Sequence, residues 1–409
     1  MNKPCGLIGM PLGHSFSPMI HAMLADYEYK LFPLEEAELE PFLKSRAFHG
    51  LNVTIPYKKT VVPYCDELSE AARHVGCVNT ILCREDGSLY GHNTDYDGFL
   101  WLIRYSGADV RGKKAVVLGT GGASLTVLAV LRDLGVGEII NVSRTGEENY
   151  SNLHRHYDAD ILVNATPVGM YPDNGKAAVE LRNFSCLKAV YDVVYNPYRT
   201  RLVLEAEHMG IPAYGGLGML VAQARAAAEV FSGKRIDDGL TERIIRRISQ
   251  NTRNVLLVGM PGSGKTTVGK ELARILGREF FDSDEQIVRK AGCSIEDIFS
   301  SGGEAEFRRI EREVLEELTK LSGMVIATGG GAVTYPGNID LMRQNSVVVW
   351  LRRDLGELPT DGRPLSKSNK VEELYRVREP LYREASDIII ENDLSPAETA
   401  EKIREALEA

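Results

Sequence analysis

Short apolar runs alternate with longer amphipathic stretches along the whole chain, and the runs break repeatedly at glycine, serine or proline. Residues 5–8, 27–32 and 51–55 read as strands, with a helix expected over 35–46, which makes a βαβ unit. A second series opens at Lys113-Lys-Ala-Val-Val-Leu118, passes through glycines into a helix over 125–134, and returns to a strand over 138–142. A third begins with Asn254-Val-Leu-Leu-Val258, again followed by glycines and a helix, over 268–276, with further strands ending at Asp284 and over 324–327. Strands alternating with helices predict an α/β protein with parallel sheets. The spacing of the three series predicts domains over residues 1–100, 101–248 and 254–409, with 249–253 as a short polar linker.

The turn after the third series carries the sharpest chemistry. Gly259-Met-Pro-Gly-Ser-Gly-Lys-Thr-Thr267 fits G-x-x-x-x-G-K-[ST], so residues 254–409 read as a P-loop domain binding ATP. Backbone amides from Gly262, Ser263, Gly264 and Thr267 are expected to cradle phosphates, with Lys265 neutralising them and Thr266 reaching Mg2+. Asp282 and Asp284, one apart at a strand end, suit two tasks: holding waters on magnesium and accepting a hydroxyl proton. Arg308 and Glu311 share a helix face and read as an i,i+3 ion pair. In the second series, Gly119-x-Gly121-Gly122-Ala123 between strand and helix predicts a Rossmann-like dinucleotide site, although Ser124 stands where a third glycine is usual. Arg144 and Thr145 end the next strand where an NAD site carries an acid, which favours the 2′-phosphate of NADP.

Near the N-terminus, Ser17 before Pro18 predicts a helix start with Ser17 as N-cap. Lys58 falls in the loop after the strand over 51–55, at an end where α/β sheets carry ligands.

Composition narrows the reading. A hydrophobic fraction of 44% and a charged fraction of 26% are those of a soluble globular chain. A net charge of −9 without a polybasic run argues against nucleic acid, and no apolar stretch approaches membrane-spanning length. Six cysteines with no C-x-x-C pair suit reduced thiols in a cytoplasm. All eight histidines precede residue 209, which leaves the P-loop domain to work with carboxylates, Arg, Lys and an oxygen-held metal.

Two motif sets resemble two families. Ser15-x-Ser17-Pro, Asn52-Val-Thr-Ile-Pro-x-Lys58, Val78-Asn-Thr80, Gly91-x-Asn-Thr-Asp95, Asn164-Ala-Thr166, Tyr195-Asn-Pro197 and Gly215-Gly-Leu-Gly-Met219 resemble the shikimate dehydrogenases across residues 5–248. The resemblance implies that Ser15 and Ser17 hold a substrate carboxylate, that Thr54, Asn79, Tyr195 and Gln223 also contact substrate, and that Lys58 and Asp95 form the catalytic pair. It places Asn164, Thr166, Gly216 and Met219 beside the cofactor. The P-loop, Phe281-Asp-Ser-Asp284, Phe307-Arg-x-x-Glu311, Gly329-Gly-Gly331 and Arg363-Pro-Leu365 resemble shikimate kinase over 254–409. That likeness implies shikimate binding by Asp284, Arg308, Gly330, Gly331 and Arg378, a magnesium role for Asp282 and Thr266, catalysis by Lys265 and Asp284, and Arg363 on a lid.

Together they imply one cytoplasmic chain of aromatic amino-acid biosynthesis that reduces 3-dehydroshikimate with NADPH and phosphorylates the shikimate formed. The rivals are a quinate-directed catabolic dehydrogenase, or one half acting as a sensing module. The chain departs from the family patterns in four places. Glu147 and Glu148 stand where NADP users carry a second base, Ala22 replaces an asparagine, the region 25–51 is trimmed, and the lid over 355–360 is short with Ser366 in place of a leucine.

Overall fold

The computed structural model describes residues 3–12, 15–358 and 368–408, so Arg363 and Ser366 lie outside the described residues. Its three sheets correspond to the three series. In the first, six strands run in the order Tyr29–Pro33, Cys5–Gly9, Gly50–Val53, Thr80–Cys83, Leu89–His92 and Glu67–Leu68, with antiparallel pairing on both sides of Thr80–Cys83. The second orders Ala213–Tyr214, Ala189–Asp192, Ile161–Asn164, Lys114–Leu118 and Glu138–Val142, all parallel. The third orders Phe280–Asp282, Val325–Ala327, Asn254–Val258, Ser346–Arg352 and Ile388–Glu391, also all parallel.

In both parallel sheets the chain enters on an interior strand and turns first to one side, then to the other. The crevice at that reversal, beyond the strand C-termini, is where such sheets take ligands. Parallel strands covered on both faces must be apolar throughout. Asn254–Val258 and Cys5–Gly9 are buried at every residue, which is why they stand out in the sequence as unbroken runs.

Several expected boundaries shift. Ser17 is the first residue inside helix Ser17–Leu24 rather than its cap; Phe16 precedes it, and the Ser15 hydroxyl accepts the Ser17 N–H at 3.2 Å. The glycine-turn helices start earlier than their apolar stripes, at Gly122–Asp133 and Lys265–Leu276, because their first turns are built from the polar residues that face the ligand. Helix Ser368–Ala385 continues past Arg378 and through Pro380. The stretch expected as a linker is mostly helical: Asp238–Thr252 runs to within two residues of strand Asn254–Val258.

The chain divides into two compact units, and the division does not follow sequence order. The first comprises Met1–Met170, Lys176–Tyr195 and Glu205–Ile248; the second comprises Tyr171–Gly175, Asn196–Leu204 and Ser249–Ala409. Inside the second unit, buried Arg199 lies 3.2 Å from Asp387, whose other oxygen accepts the Val348 N–H at 2.9 Å. Asn174 and Gln344 bond through their side chains, and the Tyr171 hydroxyl donates to Thr319 O at 3.0 Å. Among the described residues no helix is long and apolar enough to cross a membrane.

Candidate active sites

In the first unit, a tight turn after strand Gly50–Val53 carries Thr54 and Lys58, and the Lys58 carbonyl accepts the Val78 N–H at 2.9 Å, next to Asn79. Lys58 Nζ lies 2.6 Å from Asp95 Oδ2, with Asp95 only 3% exposed. Asp95 occupies the first turn of helix Thr94–Ser106, where unpaired amides and the helix dipole favour a carboxylate. Asn93 caps that helix by accepting the Tyr96 N–H.

Asn79 is more scaffold than the motif alone suggests. Its carbonyl accepts from the Thr94 N–H at 2.7 Å and from the hydroxyls of Thr80 and Thr94, while its amide donates to Gln223 Oε1 at 3.2 Å. Gln223 reaches it because Gly98 lets two helices meet: a Cβ on Gly98 would stand 2.7 Å from Met219 O and 3.0 Å from Gln223 Cβ. Behind this layer, Asn52 accepts the Tyr29 hydroxyl at 2.8 Å and donates to Thr80 Oγ1. Tyr29 and Gly98 carried no signal in the sequence, where each reads as strand or helix filler, and Asn52 and Thr80 stood in motifs without a role of their own. Tyr195 is partly buried, and its ring lies 5.6 Å from that of Phe16; burial raises its phenol pKa.

The dinucleotide turn follows directly. Gly119 takes φ 110°, and a Cβ there would meet Ala165 O at 2.9 Å, so only glycine fits. Gly121 faces open space, leaving backbone free for a pyrophosphate at the start of helix Gly122–Asp133. Ser124, standing in place of a third glycine, is buried and turned inward, with its hydroxyl donating to Gly119 O at 2.6 Å alongside Asn141 Nδ2 at 2.7 Å. Its hydroxyl therefore locks the turn. A Cβ on Gly122 would lie 3.7 Å from Lys58 Cδ, which puts the turn and the Lys58–Asp95 pair side by side in one unit.

Arg144 and Thr145 are exposed, and Arg144 has no carboxylate partner among the described residues. Glu148 is engaged elsewhere, with His156 at 3.0 Å. Asn164 is buried and used up internally: it donates to Asp192 and Val168 O and accepts from the Thr166 N–H and hydroxyl. It therefore shapes the loop that offers Thr166. Gly216 precedes helix Leu217–Ser232, on which Met219 is 5% exposed.

In the second unit the P-loop runs from strand Asn254–Val258 into helix Lys265–Leu276, with Gly259, Gly262 and Gly264 all at positive φ. Lys265 Nζ donates to the carbonyls of Gly259 and Met260, each at 2.9 Å. The Ser263 side chain is fully buried, so only its backbone is left for a phosphate, and its carbonyl accepts from Asn392. Thr266 Oγ1 donates to Asp282 Oδ2 at 2.7 Å. A hydroxyl and one carboxylate fit magnesium, which keeps several waters and takes its remaining ligands from substrate phosphates. Among the described residues no group of three His, Cys, Asp or Glu offers a fuller cage.

Asp282 caps helix Ser283–Ala291 and turns Asp284 toward Gly329. A Cβ on Gly329 would stand 2.8 Å from Asp284 Oδ1 and 3.0 Å from Glu311 Oε1; one on Gly331 would stand 2.5 Å from the Arg308 guanidinium; one on Gly330 would strike Pro261 at 2.6 Å. Gly330 is thus required by Pro261, Gly329 and Gly331 lie against the tips of charged side chains, and the turn is wedged between the P-loop and a charged cluster. Glu311 pairs with Arg308 at 2.7 Å as the spacing predicts, but it is 1% exposed, and burial raises its pKa despite Arg308. Arg378, 6% exposed, adds a second guanidinium to this cluster, and its field also acts on Glu311.

Comparison with known proteins gives this geometry its context. Residues 7–81 match the family model described as shikimate dehydrogenase substrate binding domain, and residues 261–408 match shikimate kinase. Among curated relatives, the shikimate dehydrogenase (NADP(+)) of Clostridium perfringens strain SM101 is 36% identical over 267 residues, covering 60% of this chain and 98% of the relative. Shikimate dehydrogenase 1 from Peptoclostridium difficile superposes with TM-score 0.56 at 35% identity, covering 60% of this chain and 97% of that one. The shikimate 5-dehydrogenase from Thermus thermophilus, solved with NADP(H) and shikimate, gives TM-score 0.55 at 32% identity, covering 60% and 99%.

Proposed function

The chain belongs to the shikimate dehydrogenase family, with a shikimate kinase domain in the same polypeptide, and we propose from that premise how its residues divide two consecutive reactions. The protein is a bifunctional oxidoreductase and kinase of the shikimate pathway. The relatives' names carry NADP(+) and shikimate, which supports this reading over quinate catabolism.

In the first unit, the Gly119–Gly122 turn would hold NADPH, which when bound would supply hydride for the carbonyl carbon of 3-dehydroshikimate. Lys58, held at 2.6 Å by Asp95, gives its proton to the carbonyl oxygen as that oxygen becomes an alkoxide. Asp95 keeps the ammonium oriented in a half-buried place. Ser15 and Ser17 hold the substrate carboxylate, and Thr54, Asn79, Tyr195 and Gln223 its ring. Arg144, lacking a carboxylate partner, takes the cofactor 2′-phosphate.

In the second unit, the Gly259–Thr267 loop would hold ATP as phosphoryl donor, and Thr266 and Asp282 would hold Mg2+, which when bound would offset phosphate charge. Asp284 orients the shikimate 3-hydroxyl and accepts its proton. Arg308 and Arg378 bind the shikimate carboxylate, the Gly330–Gly331 backbone its hydroxyls, and Lys265 leaves its loop carbonyls for the phosphates. The observation that carries the dehydrogenase assignment is the Lys58–Asp95 pair set against the dinucleotide turn.

Paired substitutions test the division. Lys58→Ala is expected to abolish NADPH oxidation by 3-dehydroshikimate while sparing shikimate-dependent ADP release, and Lys265→Ala to do the reverse. Loss of both activities in either variant, with circular dichroism unchanged, would refute separate sites.

A further inference from the structure

Tyr382 is a large buried group near the kinase site to which the preceding reading gives no part. It is 1% exposed, its ring lies 5.8 Å from that of Trp350, and its hydroxyl donates to the carbonyl of Gly330. Met260 Sδ, at the start of the P-loop, lies 3.9 Å from the same hydroxyl. Arg378 stands one turn earlier on the same helix, and its charge acts on that hydroxyl. Burial pushes the phenol up to about 12 against the pull of Arg378 and Arg308, so at neutral pH it remains a protonated donor.

A trans peptide points its C=O and N–H in opposite directions. Holding Gly330 O on the Tyr382 side therefore aims the Gly331 N–H away from it. Three charged side chains border the turn: the Arg308 guanidinium lies against Gly331, and Asp284 and Glu311 lie against Gly329. Among the described residues the Gly331 N–H has no acceptor, so it is a free donor beside the group that would orient the reacting hydroxyl. A glycine turn without this anchor has no side chain of its own to set the peptide plane.

We propose that Tyr382 is a positioning residue for the phosphoryl acceptor: it clamps the Gly330–Gly331 peptide so that the Gly331 N–H is presented to a shikimate hydroxyl. The inference rests on the shikimate kinase reading of this site. It adds a specificity role for a buried hydroxyl that never touches the substrate.

Tyr382→Phe in the full chain removes the hydroxyl and keeps the ring against Trp350. Losing one anchoring hydrogen bond is expected to raise KM for shikimate about three- to tenfold while KM for ATP stays within about twofold. An unchanged KM for shikimate, or an equal rise in both constants, would overturn the proposal, the second because it marks general loosening. Hydrogen exchange in the wild type supplies a test independent of the variant. Shikimate should slow exchange of the Gly331 amide, and no slowing at saturating shikimate would overturn the clamp. Absence of shikimate-dependent ADP release from the wild type would instead refute the kinase reading itself, which keeps the two failures distinct.

Discussion

His21 shows how a single buried side chain ties stability to pH. It is 1% exposed, bonds the Tyr27 hydroxyl at 2.7 Å and stacks on Tyr29 at 4.0 Å. Burial drops its pKa from 6.5 to about 3, only partly offset by Asn52. The folded state thus keeps the ring neutral while the unfolded chain protonates, so this contribution is complete above pH 6.5 and is lost as pH falls toward 3. The first unit should lose about 1.4 kcal/mol per pH unit below that point. His21→Gln should flatten the dependence, as read by urea denaturation at neutral and mildly acid pH. Arg144 makes a second residue-scale case, because it stands exposed with Glu148 already engaged by His156. Arg144→Ala should raise KM for NADPH about tenfold or more and leave KM for NADH nearly unchanged, since a charge-assisted phosphate bond contributes about 1.5–3 kcal/mol. Equal effects on the two cofactors would show that Arg144 does not read the 2′-phosphate.

At the scale of elements, two glycine contacts decide where functional side chains end up. Helices Thr94–Ser106 and Leu217–Ser232 approach at Gly98, where an added Cβ would press on Met219 backbone at 2.7 Å. Backbone cannot step aside as a side-chain tip can. Gly98→Ala should therefore cost about 1–3 kcal/mol of stability and separate Gln223 from Asn79, lowering dehydrogenase turnover; thermal unfolding and NADPH oxidation measure both. Within the second unit, Gly330→Ala would drive a methyl into Pro261 of the P-loop at 2.6 Å, whereas Gly331→Ala meets only the tip of Arg308. The first substitution should weaken ATP binding, and the second chiefly shikimate binding. The reverse order in KM values would contradict this placement.

At the scale of the whole molecule, the second unit is assembled from three stretches of chain, and Ser249–Ala409 is only the longest. Expressed alone, that fragment would lack Arg199 for Asp387 and Asn174 for Gln344. Asp387 also holds Val348 in strand Ser346–Arg352, so the loss reaches the sheet. Arg199→Met in the full chain should lower the midpoint for thermal loss of kinase activity, with about 1–3 kcal/mol of destabilisation from the lost charge-assisted contacts to Asp387, which keeps only the more distant Arg253. The isolated fragment should fare worse. A fragment as heat-stable as the full chain would show that these contacts contribute nothing.

The sequence by itself determined the local features that repeat within a few residues: apolar runs as parallel strands, glycine turns as phosphate cradles, and charged side chains next to them. Lys265 and Asp282 were legible because their motifs lie at strand ends and a helix start, where the backbone alone sets their direction, whereas Lys58 and Asp95 were joined as a pair only through the family resemblance. Tertiary structure decided what those residues touch. The closure of Lys58 on Asp95, the engagement of Asn79 and Asn164 inside the scaffold, the bond of Asn141 to the Gly119 carbonyl and the clamp of Tyr382 on Gly330 all join positions distant in sequence. The same holds for the recruitment of Tyr171–Gly175 and Asn196–Leu204 into the second unit. A period of two or 3.6 residues states which face of an element is buried. It carries no information on which distant polar group that face will meet, because the partner is selected only when the layers close and every buried donor and acceptor must be satisfied at once.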